Sequence, residues 1–317
     1  MTSLLILLAM PPETVKQYHS RLRAAFPQLA IDLVDHHSKV GPYIGSADIL
    51  MTFGPMLTDQ VVREAANLKW IQALGTGVDN VIDLPSLRSD VIITNIQGIH
   101  GASMSEAAIM AMLALSRDFS RAVRNQDRHV WERWPSSLLE GKKLGILGVG
   151  VIAEALAPKC KALGMAVIGI SSVQRTVAGF DRMYGRDEFI SAVRDLDYLV
   201  ALTPYSPATH HIVGGAIFSA MKPDSYFINL ARGCVVDEEA LIKALEDGKI
   251  AGAALDVFNH EPLPQDHPFW TMKNVIVTPH LGGFYDGYAE RALPVVEENI
   301  RRFLAGDTMN MINVVRR

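Results

Sequence analysis

A chain of 317 residues is longer than one core usually needs, so two domains of ~100–200 residues each are expected. The net charge of −4 comes from 34 acids and 30 bases scattered along the chain, and the absence of a basic stripe excludes nucleic acid as an expected partner. Two cysteines, Cys160 and Cys234, are too few for a disulfide framework and lack metal-site spacing, which fits a reducing, cytoplasmic setting with no metal site.

The opening "MTSLLILLAMPPETV" has no basic leader region and no small-residue cleavage site, so Leu4 to Leu8 reads as a buried first strand. No stretch approaches the ~20 apolar residues of a membrane helix. Further along, a helix from about Glu13 to Phe26 precedes "AIDLV" and "ADILMTF". Thr58 then caps "DQVVREAAN", and "KWIQAL" and "VIITN" follow as strands. This βαβα alternation predicts a parallel sheet with helices on its faces.

A long amphipathic segment, "SMSEAAIMAMLALSRDFSRAVRNQ", reads as one continuous helix carrying the chain into a second body. There "KLGILG", "AVIGI", "DYLVALT", "SYFINLA", "AGAALDVF" and "NVIVTPH" predict a doubly wound sheet of about six strands. The last helix, ending at Gly306, is expected to return to the first body. The fold class is therefore α/β, with two doubly wound parallel-sheet domains. A substrate domain is expected over 1–98 plus 285–317 and a dinucleotide-binding domain over 99–284.

The turn after "KLGIL" reads Gly148-Val149-Gly150-Val151-Ile152-Ala153, of the form GxGxxA between a strand and a helix. Gly148 permits the tight turn, and Gly150 lets the backbone approach a pyrophosphate. The amides at Val151 and Ile152 open the helix that receives it. At the end of the next strand, where a carboxylate would bind the adenosine ribose hydroxyls, stands "SSVQRT". An acid there repels a 2′-phosphate, whereas the hydroxyls of Ser171 and Ser172 and the guanidinium of Arg175 can bind one. NADP is accordingly favoured over NAD.

Arg232 follows the strand in "INLARGCVVDEEAL", Asp256 and Glu261 follow in "ALDVFNHEPL", and His280 closes "VIVTPHLGG". Residues at the carboxyl ends of strands in an open α/β sheet converge on one crevice. An arginine, a carboxylate and a histidine beside a nicotinamide suit reduction of a 2-oxo acid. Arg232 grips the substrate carboxylate, and His280, paired with Glu261, supplies the proton taken up after hydride transfer.

These motifs, with "LTPYSPATHHIVG" at Leu202 and "ALGTGVDNV" and "NIQGIHGASMSEAAI" in the first body, resemble the D-2-hydroxyacid dehydrogenase family over essentially the whole chain. The resemblance implies a Rossmann domain beside a smaller flavodoxin-like substrate domain. It implies Arg232 as substrate anchor, Glu261 and His280 as the acid/base pair, and Asp256 near the nicotinamide. Backbone amides around Gly75, Thr76 and Gly77 are implied at the substrate carboxylate, with Thr203, Pro204, Ala231 and Gly282 along the cofactor. A homodimer and a cleft between the domains are implied as well. The expected reaction interconverts a small 2-oxo acid of the glyoxylate or hydroxypyruvate kind and its D-2-hydroxy acid. The alternative is a nucleotide-sensing, corepressor-like binding protein on the same fold. Val151 departs from the family, where many relatives carry an arginine near the pyrophosphate, and Phe284 and Tyr285 stand where smaller residues are common.

Overall fold

The structure is a computed structural model that describes residues 1–173 and 175–315, so Gln174 of the "SSVQRT" stretch lies outside the described residues. The chain divides into two compact units, Met1–Ile99 with Asp286–Arg317, and His100–Tyr285.

In the first unit, β1 (Ser3–Leu7), β2 (Ala30–Val34), β3 (Ile49–Thr52), β4 (Trp70–Ala73) and β5 (Ile92–Thr94) pair in parallel. Their order, β2-β1-β3-β4-β5, is the flavodoxin-like one, in which the connections reverse direction between β1 and β3. Residues of β1, β3 and β4 are almost wholly buried because helices cover both faces of the sheet. Helix Asp59–Glu64 starts where expected, with Thr58 Oγ1 accepting the Val61 amide at 3.4 Å.

The second unit holds β6 (Lys143–Leu147), β7 (Ala166–Ser171), β8 (Arg182–Gly185), β9 (Tyr198–Ala201), β10 (Tyr226–Asn229), β11 (Gly252–Leu255) and β12 (Val275–Val277). All pair in parallel in the order β8-β7-β6-β9-β10-β11-β12, the dinucleotide-binding order extended by one strand. The sheet thus has seven strands where the sequence predicts about six. The additional one, β8, is an edge strand of only four residues, "RMYG". Packed on one side only, it needs no continuous apolar run, and Arg182 instead lies over the Tyr184 ring at 4.2 Å.

The long helix predicted after the first body is two helices, Gly101–Ser116 and Phe119–Asp127. They are separated by Arg117 and Asp118, and the φ of 48° at Asp118 is left-handed. Apolar periodicity continues across the break, so the pattern cannot reveal a single residue that interrupts the hydrogen-bond ladder. Cys160 lies in the core of this unit, where burial pushes its thiol up to about 12.

After Tyr285 the chain rejoins the first unit through helix Tyr288–Leu304 and β13 (Val314–Val315), which pairs antiparallel with β5. Arg21 Nε binds Glu297 Oε1 at 2.6 Å, and Tyr288 Oη donates to the Leu74 carbonyl. A buried polar chain runs from Trp70 Nε1 to Thr94 Oγ1 and from there to Gln72 Oε1, both steps at 2.8 Å. Asn299 Nδ2 reaches the same Gln72 oxygen at 3.1 Å. Every member is satisfied, so the network fixes the helix in place without leaving orphaned polar atoms. Among the described residues, no helix is long and apolar enough to cross a membrane.

Candidate active site

The glycine turn leaves β6 and enters helix Val151–Ala162. Gly148 has φ +94°, and a Cβ there would lie 2.5 Å from the Thr203 amide nitrogen, so this position admits only glycine. Thr203 is itself buried and follows β9, the other neighbour of β6. Nothing lies within 4 Å of a Cβ built on Gly150, the helix N-cap, and Val151 beyond it is half exposed. Open space in front of the unsatisfied amides of a helix N-terminus fits the pyrophosphate of a dinucleotide.

Ser171 closes β7, and its Oγ accepts the Val173 amide at 3.3 Å. Ser172 and Arg175 are exposed. Arg175 is already engaged: Nη2 lies 2.5 Å from Glu154 Oε1 and 3.5 Å from the Val149 carbonyl oxygen. The partner carboxylate stands in the first turn of helix Val151–Ala162, just past the glycine turn. Pro204, exposed, offers its carbonyl to Thr209 Oγ1 at 2.9 Å.

Arg232, Glu261 and His280 all belong to the second unit and follow β10, β11 and β12 respectively. Asn229, the last residue of β10, sets the first turn. Its Oδ1 accepts the Ala231 amide at 3.1 Å and its Nδ2 donates to the Arg232 carbonyl at 3.0 Å. The Arg232 guanidinium donates through Nη1 to the Ala231 carbonyl at 2.7 Å. A side chain on Gly233 would overlap the Phe258 backbone, so the glycine lets the segment after β10 close against the segment after β11. That contact brings Arg232 toward Glu261.

Glu261 Oε1 accepts the Phe258 amide at 3.0 Å, and Oε2 meets His280 Nδ1 at 2.8 Å. Burial alone would push the Glu261 carboxyl up. The hydrogen bond from His280, the Phe258 amide and the positive charge of Arg232 outweigh burial and hold it below the usual carboxylate range. An ionised carboxylate has no proton to give, so His280 Nδ1 carries the hydrogen and Nε2 is the ring nitrogen left for a substrate. The His280 backbone is left-handed, φ 53°, and its amide is shared by the Asp256 carbonyl at 2.8 Å and the Thr278 carbonyl at 3.0 Å. Burial, and then the charge of Arg232, lower the pKa of His100, the first residue of this unit.

Asp256 is buried, and its carboxylate accepts three donors from the segment that carries His280. Thr278 Oγ1 lies at 2.6 Å and the Leu281 amide at 2.8 Å from Oδ1, and the Gly282 amide lies at 2.8 Å from Oδ2. Sequence reasoning singled out Asp256 and Gly282 but missed Thr278 and Asn229, although both sit inside the quoted motifs. Short polar residues at strand ends announce a turn without saying what it holds.

In the first unit, residues 75–77 follow β4 at its carboxyl end. Asn95 Nδ2 donates to the Thr76 carbonyl at 2.8 Å and the Ile96 amide to the Gly75 carbonyl at 3.2 Å, which fixes the loop through Gly77.

A doubly wound sheet with a glycine turn after its first strand, and an arginine, a glutamate and a histidine at its carboxyl edge, defines a dinucleotide-dependent oxidoreductase. Comparison with known proteins supports this. Residues 109–282 match the NAD-binding domain of D-isomer specific 2-hydroxyacid dehydrogenases. The chain is 34% identical over 276 residues to D-3-phosphoglycerate dehydrogenase of Methanocaldococcus jannaschii, covering 86% of this chain but only 52% of that protein, about half its length. It is 31% identical over 284 residues to glyoxylate reductase of Thermococcus litoralis, covering 85% of each. The crystal structure of an NADPH-dependent glyoxylate/hydroxypyruvate reductase from Sinorhizobium meliloti, in complex with NADP and sulfate, superposes with a TM-score of 0.85. That likeness carries 28% identity over 99% of this chain and 98% of that one. The chain belongs to the D-isomer specific 2-hydroxyacid dehydrogenase family and is an NAD(P)-dependent enzyme of that class. The comparisons favour the enzyme over the corepressor-like reading.

Proposed function

We propose that the enzyme reduces a small 2-oxo acid of the glyoxylate or hydroxypyruvate kind to its D-2-hydroxy acid, with NADPH preferred. The observation that carries this reading is the 2.8 Å contact between His280 Nδ1 and Glu261 Oε2, with the charge of Arg232 acting on the same carboxylate. Names of relatives support the substrate class: glyoxylate reductase in one and glyoxylate/hydroxypyruvate reductase in another.

In this mechanism Arg232 holds the substrate carboxylate as a two-pronged donor and polarises the 2-oxo group. Backbone amides of Gly75, Thr76 and Gly77, in the loop after β4 of the first unit, are proposed as substrate-binding groups. When bound, the nicotinamide supplies the hydride. His280 gives the proton on Nε2 to the oxygen that becomes the 2-hydroxyl, and Glu261 stabilises the imidazolium before transfer. Gly148, Gly150, Val151 and Ile152 receive the pyrophosphate, Thr203, Pro204 and Ala231 line the dinucleotide, and Asp256 with Gly282 positions the His280 segment. Ser171 in place of a carboxylate favours a 2′-phosphate, consistent with the NADP bound in the Sinorhizobium meliloti enzyme.

The first unit is read as the substrate domain and the second as the dinucleotide domain. A homodimer is proposed as well: Trp131 is 93% exposed, and Val130 and Leu138 of the same extended segment are exposed beside it. Sedimentation of the purified protein at a monomer mass would remove that part. Two cysteines, too few for a disulfide framework, fit a cytoplasmic setting. The test of function is kcat/KM for a panel of 2-oxo acids with NADH and NADPH. Glyoxylate or hydroxypyruvate with NADPH should rank first, and no turnover of any 2-oxo acid would refute the proposal.

A further inference from the structure

We propose that Arg186, not Arg175, is the cation that recognises the phosphate on the adenosine ribose; the assignment rests on the NADP reading above. In the parallel register Gly185 of β8 lies opposite Ser171 of β7. Arg186 therefore leaves the carboxyl end of the sheet next to the residue that stands where a ribose-binding carboxylate would be. Its side chain is half buried and reaches across the strand ends, bringing Nη2 to 3.5 Å from Thr203 Oγ1. Thr203 is the residue whose backbone packs on Gly148. The guanidinium thus spans the mouth of the crevice between the end of β8 and the glycine turn.

The donors of this guanidinium are little used. Nε is buried without a hydrogen-bond partner among the described residues, and among those residues no carboxylate lies within ion-pair distance of Arg186. A buried N–H left unpaired is costly, and a turn of this half-buried side chain toward an incoming phosphate would let Nε and a second nitrogen of the planar fork each take an oxygen. Arg175 is placed differently. It is exposed and bound to Glu154 Oε1 at 2.5 Å, so a phosphate would have to displace a carboxylate to use it.

The test is equilibrium binding by the purified full chain, followed by protein fluorescence. The probes are NADPH, NADH, adenosine 2′,5′-bisphosphate and AMP. Arg186→Ala should weaken NADPH and the bisphosphate by roughly 10–100-fold, the value of a charge-assisted hydrogen bond, while NADH and AMP stay within about threefold. Arg186→Lys, which keeps the charge and controls for folding, should fall between parent and Arg186→Ala, and Arg175→Ala should stay near the parent. Unchanged bisphosphate affinity in Arg186→Ala would overturn the assignment and leave the NADP reading standing. Equal losses for NADPH and NADH would also overturn it, because Arg186 would then serve a part the two cofactors share. A parent that binds NADH as tightly as NADPH would refute the NADP reading itself, and this assignment with it.

Discussion

His280 Nδ1 and Glu261 Oε2 lie 2.8 Å apart, and the second oxygen of the same carboxylate is held by the Phe258 amide at 3.0 Å. The ring is therefore oriented by a carboxylate that cannot itself rotate freely, and in the proposed mechanism Nε2 is the nitrogen that exchanges protons with substrate. General acid catalysis of this kind contributes about 10²–10⁴-fold. His280→Asn should lower kcat by that factor with the affinity for NADPH retained. Glu261→Gln, which keeps an acceptor but removes the charge, should lose less. Steady-state rates beside cofactor titrations check both, and parental kcat in His280→Asn would exclude it as the proton donor.

In the proposed mechanism Arg232→Ala removes two charge-assisted bonds to the substrate carboxylate. At ~1.5–3 kcal/mol each, kcat/KM should fall by roughly 10²–10⁴-fold. Arg232→Lys should recover only part, because an ammonium cannot form the planar pair. The measurement is kcat/KM for the preferred 2-oxo acid together with the dissociation constant for NADPH, which should hardly move.

Asp256→Asn replaces one acceptor oxygen by an amide donor facing the Leu281 or Gly282 amide or the Thr278 hydroxyl. At least one buried donor then goes unpaired, a cost of about 1–3 kcal/mol. Both thermal stability and kcat should drop, since the same segment carries His280. A variant with lowered Tm and parental kcat would show that the segment tolerates the loss without moving the ring.

Gly148→Ala puts a methyl group 2.5 Å from the Thr203 amide nitrogen at a φ of +94°. The strain, of order 1–3 kcal/mol before any clash, should shift Thr203 and weaken NADPH and NADH alike. Calorimetric titration reads this directly.

Stability toward acid depends on carboxylates held low in the folded protein. Asp197 is nearly buried, and although burial pushes it up, the Lys222 ammonium at 2.6 Å and the Lys143 amide at 2.7 Å bring it below the usual range. Glu261 is lowered likewise. The unfolded chain takes up these protons near the ordinary values of ~3.9 for Asp and ~4.3 for Glu, before the folded chain does. The stabilisation is complete above those values and is lost as pH falls from them through the lowered folded ones. Asp197→Asn should therefore reduce stability at pH 7 and flatten its decline below about pH 4. Chemical denaturation across that range gives the slope.

Much of this molecule is legible in its residues. Apolar runs placed β1 to β7 and β9 to β12; those buried on both faces, such as β1, β3 and β4, are almost continuously apolar. The GxGxxA turn and the arginine, glutamate and histidine at strand ends carried the class of chemistry, since close backbone approach, carboxylate recognition and proton transfer each restrict the residue types allowed. The tertiary structure decided the remainder. The edge strand Arg182–Gly185 and the helix break at Asp118 leave no periodic trace, because each depends on what packs nearby and not on local pattern. The three donors on Asp256 show a role that the sequence does not announce, anchoring the segment that carries His280. For the arginines near the adenosine end, sequence proximity pointed to Arg175. Only the tertiary structure placed Arg175 against Glu154 and Gly185 opposite Ser171 across two strands, because charge partners are chosen in three dimensions.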